Sequence, residues 1–139
     1  MITINPYLNF NGNCEDAFKL YKKVFGGEFA TLQRFKDEPN SKHSPSDAEK
    51  IMHVSLPLGN GFILMGSDRP PAMGPGKMGE NLSLSVNAES KKQADELFNG
   101  LAQGGRITVP IGDTFWGSYF GMVNDKYGVQ WMVSYSEQR

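Results

Sequence analysis

Apolar and polar residues alternate along short segments of this chain, whereas two longer segments carry their apolar residues at helical spacing. The alternation predicts strands at residues 2–10, 28–35, 51–58 and 62–66, and again at 82–86, 106–110, 116–123 and 129–135. Residues 14–25 and 91–103 have apolar residues three and four positions apart, which predicts one buried stripe on each of two helices. The pattern therefore predicts an α+β fold in which the order strand, helix, three strands occurs twice.

Both predicted helices have recognisable ends. Asn13 and Ser90 each precede a helix, and a polar residue follows three positions later, as in a capping box. A pair of glycines follows each helix, at residues 26–27 and 104–105, where a left-handed residue commonly ends a helix.

Sequence landmarks recur between the two halves. Residues 5–10 align with residues 81–86, and residues 61–65 align with residues 128–132. A repeat of this length indicates a duplicated βαβββ unit. The predicted organisation is a single domain over residues 1–139, with module one at 1–67, a linker at 68–80 and module two at 81–139.

Charge and cysteine content exclude some classes of function. The 14 basic and 15 acidic residues of this 139-residue chain nearly balance, which argues against nucleic acid or an anionic membrane as a partner. The single cysteine, Cys14, cannot form an internal disulfide, and no secretory leader or membrane span is evident. These features predict a cytoplasmic location. Cys14 is interpreted either as a reactive thiol or as a small residue at the start of a helix.

Residues 36–50 contain almost no apolar residue. The segment is predicted to be a surface loop that is long enough to act as a lid.

Three motifs carry a family resemblance that covers nearly the whole chain. They are residues 6–13 (PYLNFNGN), 114–117 (TFWG) and 125–131 (DKYGVQW). With the repeat, they make the chain resemble the vicinal oxygen chelate superfamily of glyoxalase I, bleomycin-resistance proteins and extradiol dioxygenases. Within it the chain is similar to the PhnB-like branch, labelled "3-demethylubiquinone-9 3-methyltransferase-like". The resemblance implies two βαβββ modules that form a pseudo-symmetric curled mixed sheet around a central cup, and it implies a homodimer.

Active members of the superfamily hold one divalent metal ion in the cup. Carrying the ligand positions over gives Asn5, Met65, Asn81 and Met132, and neither residues 60–67 nor residues 127–136 contain Asp, Glu or His. Amides and thioethers are poor ligands for the ions that prefer imidazole and carboxylate. We therefore expect no resident metal and no cofactor, although a divalent metal stays an alternative.

The resemblance and the polar stripes suggest one catalytic candidate and a set of binding candidates. His53 is the candidate general base, and its alternative is a histidine hydrogen-bonded on the sheet surface. The candidate ligand-binding residues are Asn5, Tyr7, Asn9, Met65, Asn81, Ser83, Trp116 and Met132. Their alternatives are a solvated sheet face for the polar residues, core packing for the methionines, and core or dimer packing for the aromatic cluster around Trp116.

Three functions stay open at this point. The leading hypothesis is a metal-independent protein that binds a small, partly aromatic molecule. The second is a glyoxalase-like lyase, isomerase or dioxygenase that uses a metal or His53. The third is a non-catalytic interaction protein whose cup is filled with side chains. Methyl transfer is not expected, because the sequence contains no strand–glycine-rich loop–helix signature for a nucleotide.

Overall fold

The computed structural model describes residues 2–40 and 43–137, except for the side chain of Pro71. The chain divides into two compact units, one through Lys77 and one from Met78, and each is described by itself. Each unit contains one helix and one four-stranded mixed sheet that does not close. The predicted α+β fold with two similar modules is confirmed.

Module one contains strands β1–β4 and helix α1. In chain order they are β1 (Tyr7–Phe10), α1 (Cys14–Phe25), β2 (Thr31–Arg34), β3 (Ile51–Gly59) and β4 (Phe62–Asp68). The sheet, called sheet one, has the order β1-β4-β3-β2, with β1 parallel to β4 and the other pairs antiparallel. Helix α1 has the predicted bounds, and Gly26 and Gly27 follow it with φ angles of 82° and 85°.

Helix α1 packs on one face of sheet one through aromatic residues. Phe18 and Tyr21 are fully buried and their rings meet edge to face at 5.4 Å. A Cβ atom at Gly66 of β4 would lie 2.6 Å from the Phe18 ring, so the absence of a side chain there lets the helix approach the sheet. This face forms the core of module one.

A buried carboxylate, and not the predicted capping box, stabilises the start of α1. Asn13 makes no capping bond with its side chain. Asp68 Oδ1 instead accepts hydrogen bonds from the backbone N–H groups of Gly12 (2.8 Å) and Cys14 (3.0 Å). Its other oxygen, Oδ2, accepts from the N–H of Ile51 (2.8 Å). Asp68, which the sequence pattern assigned to the linker, is thus the last residue of β4 and a central group of module one.

Module two repeats this organisation. Its elements are β5 (Leu84–Asn87), α2 (Lys91–Ala102), β6 (Arg106–Asp113), β7 (Tyr119–Asn124) and β8 (Gln130–Tyr135). Sheet two has the order β5-β8-β7-β6, and β5 is parallel to β8. The predicted cap of α2 is present, since Ser90 Oγ accepts from the N–H of Gln93 at 3.0 Å.

Two local features hold sheet two together. Gly121 lies under α2, where a Cβ atom would be 2.7 Å from the Phe98 ring, as Gly66 lies under Phe18 in module one. Asp125 is buried in the last turn, and its carboxylate accepts from the N–H groups of Tyr127 and Val129 and from the indole of Trp131. This geometry agrees with a structural role for Asp125.

Several predicted strands are longer in the sequence pattern than in the structure. β1 begins at Tyr7 and not at residue 2, and the side chains of Ile2 and Ile4 are 91% and 86% exposed. Alternation cannot distinguish a paired strand from an extended segment that lacks a partner. Likewise, residues 116–118 lie before β7, which begins at Tyr119, and Gly117 has φ 89° in the turn that precedes it.

Residues 36–50 contain ordered turns in the parts that the structure describes. Short 3-10 turns lie at Phe35–Asp37 and Pro45–Asp47, and Lys36 pairs with Glu49 at 2.5 Å. Arg34, just before the segment, makes two parallel bonds to Glu15 of α1, at 3.0 and 2.7 Å. The predicted lid role stays a prediction, and positions 41–42 lie outside the described residues.

Within the described residues, no helix combines the length and the apolar character needed to cross a membrane.

Candidate functional site

The face of sheet one that lies opposite α1 carries most of the predicted site residues of module one. Alternation along the strands puts the buried residues Phe10, Val54 and Leu64 toward the helix and the next residues on the other side. We call this other side the Tyr7–His53 face, and its members include Tyr7, Asn9, His53, Ser55, Met65 and Ser67. Met65 lies between Tyr7 on β1 and Ser55 on β3, and Asn9 is opposite Ser67.

Tyr7 and His53 form a contacting pair on this face. The Tyr7 hydroxyl oxygen is 3.1 Å from Nδ1 of His53, and the two rings stack at 5.6 Å with an angle of 24°. The Tyr7 side chain is 43% exposed and His53 is half-buried, so a ligand can reach both rings. The sequence pattern assigned each side chain to the polar face of its own strand, and the structure shows that the two share one face of sheet one and touch.

The tautomer of His53 determines what the pair can do. If Nδ1 accepts the Tyr7 proton, Nε2 carries a hydrogen and donates to a ligand; if Nδ1 donates, Nε2 accepts. In either case Tyr7 orients the imidazole ring. Thr31 and Gln33 of β2, opposite Ser55 and His53, also lie on this face, and none of these eight residues is Asp, Glu, Lys or Arg.

Asn5 has a backbone partner in the structure. Its Oδ1 accepts a hydrogen bond from the N–H of Ile63 at 3.1 Å, just before β1 begins. The bond links the segment before β1 to β4 through a side chain, so this amide oxygen already has a hydrogen-bond partner.

The candidates of module two are less closely grouped. Met132 lies between Ser85 of β5 and Met122 of β7, on the face of sheet two opposite α2. Ser83 is half-buried and Asn81 is exposed, and both precede β5. Asn81 therefore lies outside the sheet, and the structure shows it in no grouping with Met132.

The strand register corrects the alignment of the repeat. Met65 is opposite Tyr7 in module one, and Met132 is opposite Ser85 in module two. If the methionines correspond, Tyr7 corresponds to Ser85. By the same register Asn5 corresponds to Ser83, and the assumed match with Asn81 is wrong. The sequence offset failed because the segments that lead into β1 and β5 lack regular pairing.

The ligand set implied by the resemblance does not fit a divalent metal ion. Module one offers an amide oxygen that a backbone N–H already occupies, together with the thioether of Met65. The matching positions of module two offer a hydroxyl and a second thioether. Across residues 2–40 and 43–137, no group of three or more His, Cys, Asp or Glu side chains is placed to bind a metal. No step that uses a metal is therefore assigned.

Trp116 lies in the turn before β7. Its ring contacts Phe120 at 5.8 Å, and it also lines a cleft of about 390 Å³ on the side of α2. The other lining residues are Lys91, Asp113, Gly117, Tyr119, Tyr135, Ser136 and Glu137. Sequence analysis did not predict this cleft, because β6, β7 and α2 contribute to it from distant positions.

The reactive interpretation of Cys14 is not supported. The thiol is fully buried, and burial, followed by the nearby carboxylates of Asp68 and Glu15, raises its pKa well above the ordinary value. A protonated, buried thiol is a poor nucleophile, so Cys14 is a small core residue at the start of α1.

Comparison with known proteins places these features in a family context. The family described as "3-demethylubiquinone-9 3-methyltransferase" matches residues 2–134. Protein YjdN of Escherichia coli (strain K12) is 31% identical over 98% of this chain and 97% of its own length. The crystal structure of protein PA1353 from Pseudomonas aeruginosa is similar with a TM-score of 0.88, at 42% identity over 98% of each chain.

A more distant solved structure shares the fold alone. It is a glyoxalase/bleomycin resistance protein/dioxygenase family enzyme from Burkholderia phytofirmans PsJN, with a TM-score of 0.60 and 17% identity. The match covers 93% of this chain and 95% of that one.

Proposed function

The chain belongs to the 3-demethylubiquinone-9 3-methyltransferase family and has the vicinal oxygen chelate fold of glyoxalase and bleomycin-resistance proteins; from this premise we propose that it binds a small, partly aromatic molecule without a resident metal ion. The observation that carries the proposal is the stacked, hydrogen-bonded pair of Tyr7 and His53 beside Met65.

Each group on the Tyr7–His53 face supports one part of this recognition. The partly exposed Tyr7 ring offers a stacking surface, and the imidazole offers a donor or an acceptor at fixed orientation. Met65, between Tyr7 of β1 and Ser55 of β3, adds an adaptable apolar contact. A few fixed polar groups among apolar surfaces are typical of small-molecule sites.

The family description names a methyl transfer, which we do not propose for this chain. Its first glycine-rich segment, residues 59–61, makes the turn between β3 and β4 and does not lead into a helix. A phosphate-binding loop needs a strand, a glycine-rich turn and a helix in that order.

The test uses methyl signals of methionine, because Met65 lies in the proposed site. Protein labelled at the methionine methyl groups is titrated with a panel of neutral bicyclic phenols and aromatic amides, and the Met65 signal is assigned with Met65→Leu. We expect a saturable shift of the Met65 signal for at least one compound, and the same shift after dialysis against a chelator.

Two variants and one control define the site. Tyr7→Phe and His53→Gln should each weaken binding about tenfold, since each removes a directed hydrogen bond. His43→Gln, the other histidine of the chain, should leave binding unchanged. Absence of any saturable shift, or a shift that requires an added divalent ion, would contradict the proposal.

An acid–base enzyme is the second candidate, and the contact of Tyr7 with Nδ1 of His53 favours it. When Nδ1 donates to Tyr7, Nε2 can accept a proton from a bound molecule. Exchange of carbon-bound hydrogen for deuterium in a bound compound, lost in His53→Gln, would make this candidate the leading one.

A further inference from the structure

The cleft of module two lies on the opposite side of sheet two from Met132. Tyr119 and Tyr135 are directly opposite each other on β7 and β8. The residue two positions after Tyr119 is Gly121, which lies against Phe98 of α2, so both tyrosines are on the helix side. The cleft of about 390 Å³ is therefore on the other side of sheet two from the face that carries Met132.

The ammonium group of Lys91 already occupies this cleft. Lys91 Nζ is 3.1 Å from Asp113 Oδ1 and 5.2 Å from the centroid of the Tyr119 ring. A cation over an aromatic ring and beside a carboxylate is the arrangement that selects organic cations. The side chains of Lys91 and Asp113 are 54% and 76% exposed, so the pair is weakly held and can be exchanged.

A hydrogen bond to α2 holds the Tyr119 side chain in place. Its hydroxyl donates a 2.6 Å hydrogen bond to Asp95 Oδ1, and this bond raises the pKa of Tyr119. The phenol therefore stays neutral at physiological pH and presents an immobilised ring to the cleft.

Trp116 forms the outer wall of the cleft. Its side chain is 58% exposed, and its ring packs edge to face on Phe120 of β7 at 5.8 Å, while the 97% exposed Phe115 contacts it at 5.0 Å. The turn that carries it is closed by Thr114, whose hydroxyl donates to the carbonyl of Ser118 at 2.6 Å. An exposed indole that is held in place in this way provides a stacking surface for a ligand.

The charges around the cleft favour a cation. Among the described lining residues, two carboxylates, of Asp113 and Glu137, accompany one ammonium group, that of Lys91, and the carboxylate of Asp95 lies just behind Tyr119. A positively charged ligand that displaced Lys91 would meet both the carboxylates and the aromatic rings. A neutral ligand would use only the rings.

We propose that this cleft is a second binding site, one that takes a small organic cation with a primary ammonium group next to an aromatic ring. The ammonium takes the place of Lys91 Nζ at Asp113 and Tyr119, and the ring stacks on Trp116. In the bound state Lys91 turns out to solvent, so the lysine acts as an internal competitor.

The chain contains a matched pair of reporters for this proposal. It has two tryptophans, Trp116 at the cleft and Trp131, whose indole N–H is buried against Asp125 at 2.9 Å. The two indole N–H signals in a nitrogen-correlated NMR spectrum are assigned with Trp116→Phe. Phenethylammonium chloride is the probe, 2-phenylethanol is its neutral counterpart, and sodium chloride controls for ionic strength.

We expect phenethylammonium to shift the Trp116 signal in a saturable way and to leave the Trp131 signal in place. The binding of 2-phenylethanol should be about tenfold weaker or more, because it lacks the cation. Asp113→Asn should weaken phenethylammonium binding about fivefold, since it removes the carboxylate partner.

Lys91→Gln gives the distinguishing result. Removing the internal competitor should tighten phenethylammonium binding about threefold or more, whereas general damage to the cleft would weaken it. Lys92→Gln is the control, because it changes net charge equally but does not line the cleft.

Three outcomes would overturn the proposal. They are equal affinity for phenethylammonium and 2-phenylethanol, no saturable shift of the Trp116 signal, or phenethylammonium binding by Lys91→Gln that is no tighter than by Lys92→Gln. None of these bears on Tyr7 or His53, so this test fails independently of the proposed function.

Discussion

At the scale of single residues, the carboxylate of Asp68 joins three parts of module one. Its two oxygens receive the N–H groups of Gly12, Cys14 and Ile51, which belong to the turn before α1, to α1 itself and to β3. The side chain is 2% exposed, so water cannot replace these bonds. It also places negative charge at the N-terminus of α1, where the helix dipole favours it.

We expect Asp68→Asn to lower the free energy of unfolding by about 2–3 kcal/mol, because the amide brings an N–H group toward the Ile51 N–H and weakens the other bonds. Urea denaturation measures the change. Asp37→Asn is the control, since the exposed Asp37 accepts a single backbone bond from Arg34. Equal, small losses in both variants would show that the buried carboxylate contributes nothing special.

Cys14 leads to a prediction about alkaline pH. The pKa of its thiol is higher in the folded state than in the unfolded state, where the pKa of a thiol is about 8.5. The resulting loss of folding stability is therefore absent below about pH 8.5 and grows above it, because the unfolded state loses a proton that the native state retains. At about pH 10 the native protein should have lost about 2 kcal/mol through this group.

Cys14→Ala should remove this part of the pH dependence. Both proteins are unfolded with urea at about pH 7 and about pH 10, and the change between the two conditions is compared. The other titrating groups are the same in both proteins, so an identical loss in the two would refute the assignment.

Local patterns predicted the position of Tyr7 and His53 but not that of Asp68. Strand alternation assigned each of the two side chains to the polar face of its own strand, and their contact with each other comes from the structure. Asp68 is 54–56 residues from the N–H groups of Gly12 and Cys14 that it binds at the start of α1, and nothing in the linker-like sequence around it signals this contact. The cleft around Lys91 was unpredictable for the same reason.

At the scale of elements, both helices pack on their sheets through an aromatic ring over a glycine. Phe18 lies over Gly66 and Phe98 lies over Gly121, with no room for a Cβ atom in either place. A larger residue would push the helix away from the sheet or force the ring from its rotamer. The glycines thus set the distance between helix and sheet.

Gly66→Ala should reduce the free energy of unfolding by about 1–3 kcal/mol through this overpacking. Combining it with Phe18→Leu should cost less than the two separate losses together, because the smaller side chain makes room. Gly112→Ala is the control, since this β6 glycine has open space around its Cβ position. Additive losses for Gly66 and Phe18 would contradict the packing argument, as would a Gly112 variant that is equally unstable.

The bounds of helices were better predicted than those of strands. The apolar spacing and the glycines that end α1 are local, and its bounds match the prediction. The extent of a strand depends on whether a neighbour is present to pair with it, which is why β1 and β2 are shorter than their alternating sequences.

At the scale of the whole molecule, the duplication was evident from the order of elements, and the comparisons confirm the family. The detailed match between modules was not evident, because the strand register relates Tyr7 to Ser85 and not to residue 83. A constant offset in sequence is a poor guide where the connecting segments differ in length.

Exposed apolar residues precede both β1 and β5. Ile2 and Leu82 are 91% and 78% exposed, and they precede strands that lie at the edges of their sheets. Exposed apolar side chains beside an edge strand are a surface that association would cover. The resemblance to a family of homodimers leads to the same expectation, and we propose that two copies of this chain associate.

Size-exclusion chromatography with light scattering should therefore give twice the chain mass of 15.4 kDa. Ile2→Lys combined with Leu82→Lys should shift the protein toward the monomer, because two buried charges would oppose association. Met73→Lys combined with Phe115→Lys is the matched control: it adds the same two charges at exposed apolar residues that belong to no strand. A monomeric native protein would refute the proposed dimer, and dissociation by the control to the same extent would refute the proposed surface.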